Sequence, residues 1–294
     1  MLPDDFAVLI LTHRRPDKQY TVRTLAEYGY TGRTYLVLDD EDPTEPEYRK
    51  RYGDQVVTFD KRRAWEMTDD ADNTGNRRGV VYARNMAWEI AESLGLRYFL
   101  VLDDDYTGLY LRRDKNLKYG VFPMRGRVDS TILAMIDFMR EAPQVRCLCF
   151  SQGGDHIGGS ISTGNKNGVG AKRKAMNGFL CAADRPFKFY GRINEDATCY
   201  HTLGRRGVVF LTLMQAQLNQ AQTQANSGGL TEIYLDAGTY YKSFLTVMWE
   251  PSCVKVAAMG DPRTENKGYF RLHHMPTWRH AVPCIVPERY RKDD

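Results

Sequence analysis

Phe6-Ala-Val-Leu-Ile-Leu11 is an unbroken apolar run, the pattern of a strand buried on both faces of a parallel sheet. Thr12-His-Arg-Arg-Pro16 interrupts it, and the stretch from Asp17 to Tyr28 predicts a helix stopped near Gly29. Thr34 to Leu38 predicts a second strand running into Asp39-Asp40-Glu41-Asp42-Pro43. Gln55 to Phe59 predicts a third, followed by a polar loop through Asn76. From Val80 to Leu94 the apolar positions Val80, Ala83, Ala87, Ile90, Ala91 and Leu94 recur at helical spacing, and Gly95 sits just beyond as a stop. Tyr98 to Leu102 is apolar again and ends in Asp103-Asp104-Asp105. Strands alternating with helices predict an α/β sheet, in which ligands bind at the carboxyl ends of the strands. Thr12–Arg14, Asp39–Asp40 and Asp103–Asp105 are therefore expected on one edge.

The second half is less regular. Ser130 to Glu141 predicts a helix and Val145 to Phe150 a strand. Gly153 to Gly170 is glycine-rich with few apolar residues, as in a lid, a binding loop or a disordered segment. Asn194-Glu195-Asp196 predicts the start of another helix, with Asn194 as N-cap and two acids in the first turn. Gln215 to Gln224 reads as a polar helix or loop. No repeat or linker divides the chain, so one domain over 1–294 is expected.

Composition narrows the class without identifying it. The 294 residues are 42% hydrophobic and 27% charged, ordinary for a globular protein. A net charge of +4 is too mild to mark a nucleic-acid binder. Basic residues do cluster, at Lys61–Arg63, Arg77–Arg78, Arg112–Arg113, Lys172–Lys174, Arg205–Arg206 and Arg289–Lys292. No secretory signal and no apolar run of membrane-spanning length are evident, which predicts a cytoplasmic protein with no membrane partner. Six scattered cysteines (147, 149, 181, 199, 253, 284) fit buried, reduced thiols better than a disulfide framework.

The carboxylates carry the chemistry. Side chains alternate along an extended segment, so Asp103 and Asp105 point the same way, about 6–7 Å apart at the backbone. That arrangement suits Mg²⁺ or Mn²⁺, with substrate phosphates completing the shell. A solvated acidic turn, or the carboxylate cluster of a metal-dependent nuclease or phosphatase, has the same composition.

Taken in order, the motifs resemble a GT-A glycosyltransferase. Leu9 to Pro16 is similar to the first strand and loop of nucleotide-sugar transferases, Leu38-Asp39-Asp40 to the acid that holds the nucleobase, and Ala83-Arg84-Asn85 to a helical element of that superfamily. Asp103-Asp104-Asp105 stands where the metal-binding DxD belongs, and Asn194-Glu195-Asp196 where a Glu-Asp pair supplies the base. Leu102-Asp-Asp-Asp-Tyr106, Ser227–Tyr234, Tyr240–Phe244 and Pro251–Lys255 resemble more closely the TET-associated glycosyltransferases, found largely in bacteriophages. The resemblance implies a GT-A-like, Rossmann-type mixed sheet flanked by helices, with a nucleotide-sugar-binding half over 1–110 and an acceptor-binding half over 111–294.

It also implies transfer of a sugar from a UDP-sugar to 5-hydroxymethylcytosine in DNA, in the host cytoplasm if the chain is from a phage, with a functional link to a TET-type dioxygenase. On this reading Asp105 and Asp103 hold Mn²⁺ or Mg²⁺, with His273 or His274 as a further ligand, and Asp104 points away. Thr12, Arg14, Asp39, Asp40, Arg84 and Asp103 hold the donor. Asp196 is the general base, with Glu195 assisting or binding the donor sugar, and the anomeric carbon inverts. Tyr240, Tyr241, Lys242, Trp249 and Lys255 stack on the acceptor base or hold phosphate, and the loop before Lys172–Lys174 closes over donor or DNA. The competing expectations are a polysaccharide or protein acceptor, or a non-catalytic nucleic-acid-binding module on the same scaffold.

Overall fold

The computed structural model describes residues 1–72, 75–161, 169–170, 172, 174–221, 241–259 and 271–281. Its frame is a ten-stranded mixed sheet in the order β3-β2-β1-β4-β9-β7-β10-β5-β6, with β8 pairing β10 off this path. Four strands lie parallel: β1 (Phe6–Leu11), β2 (Arg33–Asp39), β3 (Val56–Phe59) and β4 (Tyr98–Asp103). β9 (Asn177–Ala182) runs antiparallel between β4 and β7 (Val145–Ser151). β10 (Val209–Gln220) is parallel to β7 and antiparallel to β5 (Tyr106–Arg113), and β6 (Tyr119–Pro123) closes that edge. β8 is the short Val169–Gly170. A separate hairpin pairs β11 (Val254–Met259) with β12 (Arg271–Pro276).

Helices cover both faces, as the alternating pattern requires. On one face α4 (Val81–Ser93) and α6 (Glu195–Gly204) pack on Leu9, Leu11, Val101, Cys147, Cys149 and Phe179. On the other, α1 (Tyr20–Glu27) and α5 (Val128–Glu141) cover Val8, Ile10, Leu100, Leu102 and Leu148. β1 is buried along its whole length, which is why its sequence has no polar alternation. The short α2 (Glu45–Tyr52) presses Tyr48 onto Leu36 and Leu38, and α3 (Lys61–Glu66) leads back toward α4. Residues 241–249 are helical and Trp278–Ala281 form one last turn. Among the described residues no helix is long and apolar enough to cross a membrane.

The parallel register brings the carboxyl ends of β1, β2 and β4 to one edge, as expected. Two elements differ from the sequence reading. Gln215 to Gln220 is strand, continuing β10, not polar helix or loop: Ala216 and Leu218 enter the core while Gln215 and Gln217 take the other face. Asn194 precedes α6 but does not cap it. Its backbone is left-handed (φ 60°) and its side chain turns away from the helix. Five cysteines are free and buried, and Cys284 lies outside the described residues. The sheet is continuous through residue 110, which lies within β5.

Candidate active site

β4 ends in a turn that separates its three carboxylates. Asp104 points inward and is 4% exposed; it accepts from the Thr12 hydroxyl at 2.7 Å and from Arg15 Nη1 at 3.1 Å. Thr12 also lies 2.7 Å from the Tyr48 hydroxyl and accepts from Gln19 Nε2 at 2.8 Å. Thr12 is thus an interior strut whose hydroxyl serves a buried carboxylate. Asp105 faces the edge, where Gln220 Nε2 donates to its two oxygens at 3.0 and 3.1 Å. Burial, then the neighbouring Asp103 charge, lifts the Asp105 carboxyl to about 7.

Arg84 sits in the first turn of α4, 5% exposed, with its charge met by carboxylates of the chain itself. Its Nη1 donates to Glu195 Oε1 at 2.6 Å, and its Nη2 lies 3.4 Å from both oxygens of Asp103. The guanidinium rests over the rings of Phe179 and Phe189, 4.9 and 5.6 Å from their centroids. Phe179 reaches it because Gly178 precedes it: at φ +56° a Cβ would come within 2.6 Å of Leu218 and 2.8 Å of Phe150. Burial raises the Glu195 carboxyl against the pull of Arg84. Arg84 therefore links the strand-end carboxylates to α6.

Arg84→Met is expected to cost about 3–5 kcal/mol of stability, because it leaves Glu195 buried without a counter-charge. The double replacement Arg84→Met with Glu195→Met should recover part of that loss. Urea denaturation of both single variants and the double checks this; additive losses would contradict the coupling.

Beside the site, Asp39 lies 2.8 Å from His13 Nδ1 and 3.0 Å from Lys61 Nζ, so its acid is already held by two basic groups. These partners outweigh its burial and lower its pKa. Asp40 accepts from the Lys61 backbone N–H at 2.9 Å. Arg14 is exposed with φ 54°, its N–H donating to Asp42 at 2.7 Å.

Asp196 is half-buried in the first turn of α6 and accepts from the Ala197 N–H through Oδ1 at 2.7 Å. Ahead of it, Arg192 donates to Asp70 and Asp72 at 2.9 and 2.7 Å, and Asn194 Nδ2 reaches the Lys242 carbonyl, Thr246 and His274 Nδ1 at 3.1, 3.1 and 3.0 Å. These contacts fix the start of α6. No local pattern signals these roles for Gln220, Arg192 and Asn194, because their partners lie up to 122 residues away in sequence.

Among the described residues no three or more His, Cys, Asp or Glu side chains form a ready metal cage. Neither His273 nor His274 joins Asp103 and Asp105 in one. His274 is buried against Asn194, and His273 Nε2 lies 2.9 Å from Lys174 Nζ, whose charge opposes a nearby cation. Asp103 and Asp105 remain the candidates, a hard-oxygen pair suited to Mg²⁺ or Mn²⁺.

His201, on α6, is fully buried against Tyr200 and Trp278, and burial with the Lys174 charge lowers its pKa to about 3. A histidine held neutral in the fold takes up its proton more readily when unfolded. Its stabilising effect is complete above the unfolded value near 6.5 and is lost as pH falls toward 3. Between pH 6.5 and 5 this costs about 2 kcal/mol. Melting curves over that range should be shallower in pH dependence for His201→Phe; equal slopes would exclude His201 as the cause.

Of the expected acceptor residues, Tyr240 lies outside the described residues, as does the segment 227–234. Trp249 packs on the Tyr190 ring at 5.2 Å, Lys242 offers its carbonyl to Asn194, Tyr241 is half-buried, and Lys255 is exposed on β11. The glycine-rich loop opens with two 3₁₀ turns, Gly153–His156 and Gly159–Ile161; residues 162–168 lie outside the described residues.

A sequence model of the TET-associated glycosyltransferases matches residues 6–229. No curated protein sequence matches. Three solved structures are similar in shape. A mycobacterial protein is 11% identical, with a TM-score of 0.45, over 92% of this chain and 83% of its own. The mannosyltransferase PcManGT from Pyrobaculum calidifontis, in complex with GDP-Man and Mn²⁺, is 10% identical with a TM-score of 0.48, over 76% of this chain. S. aureus TarS 1–349 is 14% identical with a TM-score of 0.39, over 72% of this chain. The match spans 58% of the mannosyltransferase and 59% of the TarS chain, under two thirds of each.

Proposed function

The chain belongs to the TET-associated glycosyltransferase family, and from that premise we propose that it transfers a sugar from a UDP-sugar to 5-hydroxymethylcytosine in DNA, with inversion at the anomeric carbon. The observation that carries this reading is the Asp103–Arg84–Glu195 chain, which ties the strand-end carboxylates to the helix bearing Asp196. One end is suited to the donor's diphosphate and the other to the acceptor's proton.

Asp105 and Asp103 would hold a divalent cation, which when bound offsets charge on the diphosphate as a Lewis acid. Asp105 fits that role: it is desolvated, crowded by Asp103 and Asp104, and faced by a neutral amide. Asp196 takes the proton from the acceptor's hydroxymethyl oxygen as that oxygen attacks the anomeric carbon. The bond from the anomeric carbon to the diphosphate oxygen breaks, and its electron pair leaves with the diphosphate. Glu195, neutralised by Arg84, positions α6 and is not a second base. Asp39, with His13 and Lys61, and Asp40 stand beside this edge for the nucleobase.

The direct test incubates hydroxymethylated DNA with the protein, Mn²⁺ and a panel of nucleotide-sugars, then weighs the released nucleosides. A nucleoside heavier by one sugar residue with a UDP donor is the expected result. Sugar transfer to a polysaccharide or protein but not to DNA would overturn the acceptor assignment. Absence of donor turnover with every acceptor would favour a non-catalytic binding module.

A further inference from the structure

Among the described residues three arginines are buried, and one differs from the others. Arg84 is paired with Glu195, and Arg192 with Asp70 and Asp72. Arg112, on β5, is also buried at 9% exposure, yet all its partners are neutral. Its Nη1 donates to Gln217 Oε1 at 3.2 Å, its Nη2 donates to the Tyr119 hydroxyl, and the Tyr119 ring lies 4.7 Å from the guanidinium carbon. Its Nε is buried with no acceptor. A desolvated guanidinium without a counter-ion is costly, and an unfilled N–H adds to that cost.

Tyr110 stands opposite Gln217, so Arg112, two residues on, shares the face of Gln217. Ser151 is paired in register with Gln217, but its hydroxyl donates to the Ala216 carbonyl at 2.9 Å and lies 2.9 Å from His156 Nε2. In the turn after it, a Cβ on Gly154 would meet nothing within 4 Å, which leaves open space. Gln220, the residue that holds Asp105, is three positions further along β10, ~10 Å away.

We infer that Arg112 binds a phosphodiester of the acceptor strand, one flanking the nucleotide presented to Asp196. The inference rests on the reading of the acceptor as DNA. A phosphate supplies the missing charge, and its two free oxygens match the planar edge formed by Nε and one Nη. Enzymes that act on an extruded or single-stranded base also contact the nucleotides flanking it.

The test measures binding of a short single-stranded oligonucleotide carrying 5-hydroxymethylcytosine by fluorescence anisotropy, without donor, over a salt series. Arg112→Met is expected to weaken binding about tenfold at low salt and to make the slope of log affinity against log salt shallower by about 0.7. Arg112→Lys should keep the slope. The melting temperature of the Met variant should hold or rise, since an unpaired buried charge has gone. Unchanged affinity and slope would overturn the inference, and so would a Met variant that fails to fold, which would mark Arg112 as structural. Wild-type sugar transfer to DNA with an Arg112-independent slope would sink this inference alone. Arg112-dependent binding with no transfer would instead count against the proposed acceptor chemistry.

Discussion

Asp105→Ala is expected to lower turnover by at least about 10³-fold at saturating donor while the protein remains folded. The carboxylate contributes little to the fold: its hydrogen-bond donor is the Gln220 amide, and its neighbours Asp103 and Asp104 repel it. Alanine removes that crowding, so the melting temperature should stay level or rise. Activity restored by Mn²⁺ in the wild type should become insensitive to added Mn²⁺ in the variant. Asp104→Ala should behave in the opposite sense. Asp104 is buried and tied to Thr12 and Arg15, so its loss leaves two donors without an acceptor and costs stability first. Measuring kcat and melting temperature for both variants separates the roles. Unchanged turnover in Asp105→Ala would remove Asp105 from the donor site.

The contrast shows what can be read in the sequence and what cannot. Strand alternation assigns Asp103 and Asp105 to one side and Asp104 to the other, because a period of two is local. The continuous apolar runs of β1 and β4 and the helical spacing of α4 are local in the same sense, and they foretell both layers of this half. Arg84 is different. Its place in the first turn of α4 was evident, but its partner Glu195 is 111 residues away, so nothing nearby signals that its charge is already taken. Thr12 is similar: its partner Asp104 lies 92 residues on. The glutamines near 215 misled because strand in the middle of a mixed sheet can carry polar residues on one face, where Gln217 meets Arg112. Polar pairing across the sheet was hidden, while apolar packing was not.

Asp196→Asn is expected to lower turnover by about 10²–10⁴-fold with donor binding and stability unchanged. Oδ1 of Asp196 accepts from the Ala197 N–H, and an asparagine oxygen keeps that bond, so the start of α6 is preserved. On the proposed mechanism, what disappears is the basicity that removes the acceptor's proton as the new glycosidic bond forms. Glu195→Gln must not be used as its substitute, since Glu195 is buried and held by Arg84 at 2.6 Å. That variant should lose stability through the unmatched Arg84 charge, along with any change in rate. The decisive comparison is therefore kcat against donor KM and melting temperature for the two variants side by side. On the proposed direct displacement the anomeric configuration should invert, which NMR of the first-formed product reads directly. Wild-type turnover in Asp196→Asn would remove Asp196 as base, and retained configuration would require a nucleophile that Glu195, locked to Arg84, is not placed to be.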